Sequence, residues 1–118
     1  MTVSGDIFPG IYLGNGEERA KERPKTFEIP DAIERRSLQV GDFAKLMFLS
    51  RTELNGCSGE RIWVKITART DVPARYTGEV DNNAAYLPIP FGGVVEFGPE
   101  HVIDIERVKR SEPASTTG

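Results

Sequence analysis

The chain's single histidine, His101, follows a glutamate in the sequence FGPEH, and this pair is the first place to look for acid–base chemistry. A histidine titrates near neutral pH, and a neighbouring carboxylate could share or orient its proton. However, adjacent residues of a strand point to opposite faces, and no nucleophile or second ligand stands at a recognisable spacing. Gly98 supplies a hinge, and Pro99 fixes its own φ near the helical value. The sequence therefore predicts a single turn of 3₁₀ type at residues 98–101, with Glu100 and His101 structural; a contact with a binding partner is the second interpretation.

Other reactive groups are few. The single cysteine, Cys57, excludes an internal disulfide and a multi-cysteine zinc site, and in the loop-like sequence NGCSGE it reads as an ordinary thiol. Phosphate-binding, dinucleotide-binding, nucleophile-elbow, zinc-protease and calcium-loop motifs are absent from the sequence. We therefore expect no metal, no cofactor and no enzymatic activity. A small hydrolase or metal enzyme would need Glu60, Asp81, Glu100 and His101 to converge in one pocket.

Composition narrows the class of protein. With 118 residues, 38% hydrophobic and 28% charged, the chain is one globular domain with a modest core. No apolar run is long enough to cross a membrane, and the start MTVSGDIFPG lacks the pattern of a secretion signal, so we expect a cytoplasmic protein with no membrane partner. The net charge of −3, from 15 basic and 18 acidic residues, disfavours nucleic-acid binding by bulk charge. A nucleic-acid site would require Arg61, Lys65, Arg69 and Arg75 to cluster on one face.

The first third of the chain carries weak signals. In residues 1–26, the patch IFPGIYL is broken by Pro9 and Gly10, which predicts either a short edge strand or an arm lying on the core. The charged run EERAKERPK reads as a solvated linker or a brief helix that ends before Pro24. The sequence TFEIPDAIERRSL predicts a short helix with Pro30 in its first turn.

After residue 40 the pattern changes to strands. Five segments are separated by Gly, Pro or Asn: VGDFAKLMFLS, RIWVKITA, DVPARYTGEVD, GGVVEFG and HVIDIERV. The clearest is RIWVKITA, in which Ile62, Val64 and Ile66 alternate with polar or exposed positions. Five short strands with almost no helix between them favour a small, curved antiparallel barrel. We therefore predict a mainly β fold: a five-stranded, SH3-like barrel at residues 27–106 with one short leading helix, an N-terminal arm at 1–26 and a disordered tail at 107–118.

Two segments are candidates for binding. If Ile62 and its alternating partners fill the barrel, then Arg61, Trp63 and Lys65 lie on its outer surface. An outward tryptophan is costly unless something covers it. Either the N-terminal arm or the short helix packs over Trp63, or Trp63 anchors a binding partner beside Arg61.

The second segment is DNNAAYLPIPFGG, residues 81–93, which is long for a hairpin connection in so small a fold. Asn82 and Asn83 tolerate positive φ, which predicts a tight turn there. The rest either caps one end of the barrel or forms an exposed recognition loop with Tyr86 at its tip.

Taken together, VGDFAKLMF, GERIWVKI, YTGEVDN and FGPEHVIDI resemble the YegJ-like domain of bacteria and phages, a family of unknown function. The family element GExxWV is matched by Gly59, Glu60, Trp63 and Val64, and the resemblance covers about residues 38–105. The sequence departs from the family pattern at PFGG, residues 90–93, where a Gly-Asp turn is expected. The resemblance implies a small barrel and supplies no catalytic residues.

These observations predict a non-enzymatic module that binds a protein partner through Arg61, Trp63, Lys65 and Tyr86. Its small, acidic character suits a stoichiometric inhibitor or an immunity-type protein. The alternative is a small barrel associated with nucleic acid or the ribosome.

Overall fold

A computed structural model of the chain describes residues 6–108, so most of the predicted tail, residues 109–118, lies outside the described residues, as do residues 1–5. The strands are β1 (Asp6–Phe8), β2 (Ile11–Leu13), β3 (Phe43–Leu54), β4 (Cys57–Asp71), β5 (Ala74–Val80), β6 (Val94–Phe97) and β7 (Val102–Glu106). The helices are α1 (Gly16–Glu22) and α2 (Ala32–Arg36), and a 3₁₀ turn occupies Pro99–His101.

The sheet is antiparallel and nearly closes into a barrel. Strands β3 to β6 pair in sequence order, and β7 returns to pair with β3, with Phe43 opposite Glu106 and Ala44 opposite Ile105. The predicted SH3-like barrel is thus confirmed, and so is the 3₁₀ turn directly before its last strand.

The strand count is higher than the five predicted, because the N-terminal arm adds a hairpin. Strands β1 and β2 reverse direction at Gly10, whose φ is +75°. Strand β2 then pairs with β3, with Ile11 opposite Ser50 and Leu13 opposite Phe48. Strands β7 and β2 share the edge of β3 that lies opposite to β4. Since β3 has 12 residues and β7 has only 5, β7 leaves part of this edge unpaired, and the hairpin occupies that part.

Both helices are short. The charged run forms α1, which begins after Asn15, whose side-chain oxygen accepts the Glu18 N–H, and ends at Glu22 before Pro24. Helix α2 has only five residues, and Pro30 precedes it instead of lying in its first turn. Within residues 6–108, no helix is long and apolar enough to cross a bilayer.

The barrel interior is filled by inward side chains of all its strands. Its fully buried members of largest volume are Tyr76, Phe48, Phe97, Ile11, Leu38, Leu46, Ile62, Ile66, Val64, Val80, Val95 and Val102. Packing is tight at Gly78, where an added Cβ would lie 2.5 Å from Val64 Cγ1 and 2.7 Å from the Lys65 carbonyl oxygen. A side chain at this position would force β4 and β5 apart, so the close pairing of these two strands depends on glycine here.

One end of the barrel is fastened by buried polar groups. The Tyr76 hydroxyl donates to the Arg35 carbonyl at 2.7 Å and accepts the Leu38 N–H at 3.2 Å. Burial raises the pKa of Tyr76, which keeps the hydroxyl protonated and able to donate. The Asp42 carboxylate accepts the N–H of Val108, a residue assigned to the tail from the sequence, at 3.1 Å. The ordered chain therefore continues beyond β7 through Val108.

Candidate functional site

Strand β4 carries three of the predicted binding residues on one side. Arg61, Trp63 and Lys65 alternate with buried Ile62 and Val64, so they point away from the core. Across β3, their register partners are Met47, Lys45 and Phe43 respectively. We call the outward side chains of β3 and β4 around Trp63 the outer face.

Trp63 is half-buried, and the side chain over its ring is Lys45, whose Nζ lies 5.0 Å from the ring centroid. The N-terminal arm takes another place: β2 pairs with the edge of β3 opposite to β4, and Ile11 lies in the core. Lys45, rather than the arm, therefore shields Trp63, and the outer face keeps an aromatic–cation surface beside solvent.

Helix α1 and Phe27, which follow the N-terminal hairpin, reach the other half of the outer face. The guanidinium carbons of Arg19 and Arg61 lie 5.7 Å and 5.5 Å from the centroid of the Phe27 ring. The two arginines also line a groove of about 260 Å³ whose apolar walls include Met47 and Leu49. The sequence predicted Arg61 as a contact residue, but Arg19 and Phe27 join it only through the fold.

The loop at residues 81–93 is the second predicted site. Leu87 and Ile89 are buried, whereas Tyr86 and Phe91 are 53% and 61% exposed. The loop thus both caps the barrel and exposes Tyr86, and recognition of a partner by Tyr86 stays a prediction.

A carboxylate holds the Tyr86 part of this loop. Glu60 accepts backbone N–H groups from three consecutive residues: Ala85, Tyr86 and Leu87, the last two at 3.0 Å. Burial of Glu60 favours its neutral form, but these three hydrogen bonds outweigh burial and hold its pKa below the usual value. Glu60 is therefore an ionised anchor at neutral pH and is already committed to the loop.

Further hydrogen bonds fix the two sides of the loop. Asn55 Nδ2 donates to the Tyr86 carbonyl at 2.9 Å, and Asn82 Oδ1 accepts the Trp63 N–H at 3.0 Å. The tight turn predicted at Asn82 and Asn83 does not form, and its expected positive φ is missing: among the described non-glycine residues only Asn55 has a positive φ, 52°. Asn82 instead uses its side chain to bind the backbone of β4.

The loop also contains a β-turn that exposes Phe91. The Gly93 N–H donates to the Pro90 carbonyl at 3.0 Å, and Gly92 has a φ of +83°. This left-handed conformation favours glycine at that position of the turn. Phe91 is consequently displayed on a closed, hydrogen-bonded turn.

The Glu100–His101 pair has a structural arrangement. His101 Nδ1 accepts the Gly98 N–H at 3.1 Å and so caps the 3₁₀ turn, while Glu100 Oε2 lies 3.1 Å from Arg75 Nη1. Burial lowers the pKa of His101 against the opposing attraction of Glu100, with Arg75 adding to the decrease. Glu60 is engaged by the loop backbone instead, and in the described part of the chain no three His, Cys, Asp or Glu side chains are placed to hold a metal ion.

The four cations required by the nucleic-acid alternative lie in different places. Arg61 and Lys65 belong to the outer face, but Arg69 donates to the Leu38 carbonyl at 2.5 Å and pairs with Asp71 at 2.7 Å. Strand β4 bulges between Ile66 and Ala68, and Arg69 lies opposite Tyr76, whose side chain is in the core. The bulge therefore turns Arg69 away from the row formed by Arg61 and Lys65.

Sequence reasoning missed several residues of this surface. Lys45 could have been found from the alternation of β3, because Ala44 and Leu46 are apolar and enclose it, but its position over Trp63 depends on the register of β3 and β4. Phe27 and Arg19 carried no signal, since their segment reaches the outer face only through tertiary packing.

Comparison of the chain with protein-family models, with curated proteins and with solved structures gives no match, so the YegJ-like resemblance stays a prediction from the sequence.

Proposed function

We propose that this chain is a non-enzymatic module that binds a protein partner through the 81–93 loop and the outer face. Tyr86 and Trp63 are the main aromatic contacts, with Arg61 and Lys65 beside Trp63. The observation that carries the proposal is the fixed display of Tyr86, which is 53% exposed while its backbone is held by Glu60 and Asn55.

A fixed loop favours binding because its conformational entropy is already lost in the free protein. Ordering a flexible contact loop on association costs free energy that a preorganised loop avoids. Tyrosine adds large contact area with few rotatable bonds, and aromatic residues are enriched where alanine substitution most weakens interfaces. The three charge-assisted hydrogen bonds to Glu60 keep the backbone around Tyr86 in one conformation before any partner binds.

A second exposed aromatic residue lies in the same loop. Phe91 is held on its turn by the Pro90–Gly93 hydrogen bond, and Val94, the first residue of β6, is also largely exposed. Buried Leu87 and Ile89 anchor the loop between Tyr86 and Phe91. Exposed apolar side chains on an ordered segment are typical of contact surfaces.

A small single domain of this kind suits a stoichiometric inhibitor or an immunity-type protein, which needs one firm contact surface and no turnover. Membership of the YegJ-like family of bacteria and phages is part of this proposal, on the strength of the GExxWV element. In that element, Glu60 has a role that supports the proposal, since it organises the loop.

The test is affinity capture from cells that produce the protein, followed by chemical cross-linking and mass spectrometry. Wild type is compared with Tyr86→Ser, Trp63→Ala and Ile33→Ser, a matched control in which an apolar residue 78% exposed on α2 is replaced. We expect one protein in stoichiometric yield that survives nuclease, is lost at least about tenfold with Tyr86→Ser and Trp63→Ala, and is retained with Ile33→Ser.

Folding of each variant is checked by its thermal transition. A capture that disappears with nuclease would favour the nucleic-acid alternative. A capture that is equal for Tyr86→Ser, Trp63→Ala and wild type would contradict the proposed surface.

A further inference from the structure

The basic side chains of the described residues fall into two groups, those that pair with a carboxylate and those that do not. Five arginines form ion pairs with carboxylates at 2.6–3.6 Å: Arg35, Arg51, Arg69, Arg75 and Arg107. By contrast, the other eight Lys and Arg side chains of residues 6–108 make neither an ion pair nor a hydrogen bond, and four of these eight gather on or beside the outer face: Arg19, Lys45, Arg61 and Lys65. The outer face is therefore a local cationic surface on a protein of net charge −3.

Three of these four cations are positioned by aromatic rings. Arg19 and Arg61 both lie over Phe27, and Lys45 lies over Trp63. A guanidinium on a ring leaves its N–H groups at the edge free to donate, and two such groups beside one groove suit a bidentate grip on carboxylates. The like charges of Arg19 and Arg61 repel each other, so an anion between them would be stabilised by both.

The surroundings of the outer face indicate a short acidic segment and not a polyanion. In the strand register, Glu79 lies opposite Lys65, Asp104 opposite Lys45 and Glu106 opposite Phe43. These carboxylates border the cations on β5 and β7, and they would repel a phosphate backbone that crossed the barrel. In addition, a base could stack on the face of the Trp63 ring covered by Lys45 only after displacing Lys45, whereas a carboxylate could bind Lys45 where it lies.

We propose that the outer face binds an acidic segment of a protein partner, with carboxylates of that segment held by Arg19 and Arg61 across the Phe27 ring and by Lys45 beside Trp63. This names the partner chemistry of the proposed protein-binding function and rests on it. Tyr86 and its loop are a separate contact, and they need no acidic partner.

The test uses a library of random twelve-residue peptides displayed on phage, selected on the folded wild-type protein. Enriched peptides are synthesised and titrated while the fluorescence of Trp63 is followed, since the chain has a single tryptophan and it lies on the outer face. We expect peptides rich in Asp and Glu, with affinity that falls as salt rises. The double variant Arg19→Gln/Arg61→Gln should weaken binding at least about tenfold.

A matched control is Arg36→Gln, which removes an exposed arginine of α2 that lines a different groove. This variant should bind the selected peptides as wild type does. The variant Arg19→Lys/Arg61→Lys keeps the charge but loses the planar donors. Its affinity for the peptides should therefore lie between that of wild type and that of the double glutamine variant.

Three outcomes would overturn the proposal. The first is a selected pool without acidic enrichment, or no enrichment at all. The second is equal affinity of acidic peptides for wild type and the double glutamine variant. The third is displacement of the peptides by a twelve-nucleotide oligothymidylate at lower concentration, with a steeper salt dependence, which would indicate a nucleic-acid surface.

Failure here can be told apart from failure of the proposed function. If cellular capture depends on Tyr86 but acidic peptides do not bind, the protein-binding function stands and only the acidic partner is wrong. If capture shows no protein that depends on Tyr86 or Trp63, the proposed function itself is wrong, whatever the peptides do.

Discussion

Arg35 and Arg61 show two ways in which this barrel uses an arginine. Arg35 is buried, with a side chain only 7% exposed, and its guanidinium donates to Glu17 and to the carbonyls of Pro30 and Pro99 at 2.6–2.8 Å. Arg61 is exposed and contacts the face of the Phe27 ring, without a hydrogen-bond acceptor among the described residues. The first ties both helices and the 3₁₀ turn together, and the second keeps its donors available to a partner.

The comparison distinguishes charged groups that stabilise the fold from charged groups that are available to bind a partner. A buried cation must be paired and hydrogen-bonded, or its desolvation makes folding unfavourable. A cation on an exposed ring retains most of its hydration and can exchange water for a ligand. Charge at the end of the barrel near the 3₁₀ turn therefore serves stability, whereas charge on the outer face serves the proposed binding.

The largest change in unfolding free energy is expected at Arg35, and the same substitution at Arg61 serves as its comparison. Arg35→Met keeps an apolar stem but leaves two carbonyls without their donor, and we expect unfolding free energy to fall by about 3 kcal/mol. Arg61→Met, which loses one exposed cation–π contact with Phe27, should change it by less than about 1 kcal/mol. Urea denaturation measures both, and a cost for Arg61→Met as large as that for Arg35→Met would break the distinction.

Next in size is the effect of removing the loop anchor. Glu60→Gln leaves one acceptor oxygen where three N–H groups need partners, and we expect about 2 kcal/mol of destabilisation. Hydrogen exchange should accelerate at residues 85–87 more than at Val64 in the barrel. If the amides of the loop keep their protection, Glu60 does not hold Tyr86 in place, and the preorganisation argument fails.

A smaller effect concerns pH at the 3₁₀ turn. His101 has a lowered pKa in the folded state because it is buried, so the unfolded chain, with a value near 6.5, binds its proton first as pH falls. Stability is complete above that value and declines as pH drops below it, since a protonated Nδ1 can no longer accept the Gly98 N–H.

The decline is followed by thermal unfolding between pH 7.5 and 5. In His101→Asn the amide oxygen can still accept that N–H but does not titrate, so its stability should stay flat over this range. The lowered pKa values of Glu60 and Glu100 act in a separate window, below their usual value of 4.5, where acid removes the stabilisation from their hydrogen bonds. An equal slope in His101→Asn above pH 5 would assign the effect to other groups.

A small effect on stability is expected at the ring covered by lysine. Lys45→Gln removes one cation–π contact with half-buried Trp63, and such a contact near solvent is typically worth about 0.5–1 kcal/mol. The fluorescence of Trp63 should nevertheless change clearly, because the ring loses its cover. A change in stability with no spectral change would show that Lys45 acts elsewhere than at Trp63.

Local signals in the sequence account for much of the barrel and less of the surface. Alternation of Ile62, Val64 and Ile66 predicted the inward side of β4, and Gly98–Pro99 predicted the turn before the last strand, because both depend on neighbours in the chain. Asn82 was misread because its side chain found a partner on β4 that no local pattern shows. Glu60 was noticed in the sequence as part of a family element and as a candidate carboxylate of an enzyme, but not as the anchor of the loop, since its three acceptor bonds span 25 to 27 residues.

The sequence alone therefore determined a small antiparallel barrel, an outward row of Arg61, Trp63 and Lys65, and a long loop that carries Tyr86. Periodicity and turn residues suffice for these, as they act over a few residues. Tertiary structure decided that the arm pairs as a hairpin with β3, that Lys45 shields Trp63, and that Arg19 and Arg61 share the Phe27 ring. Those contacts join residues far apart in sequence, and their energies exist only once the barrel has brought the residues together.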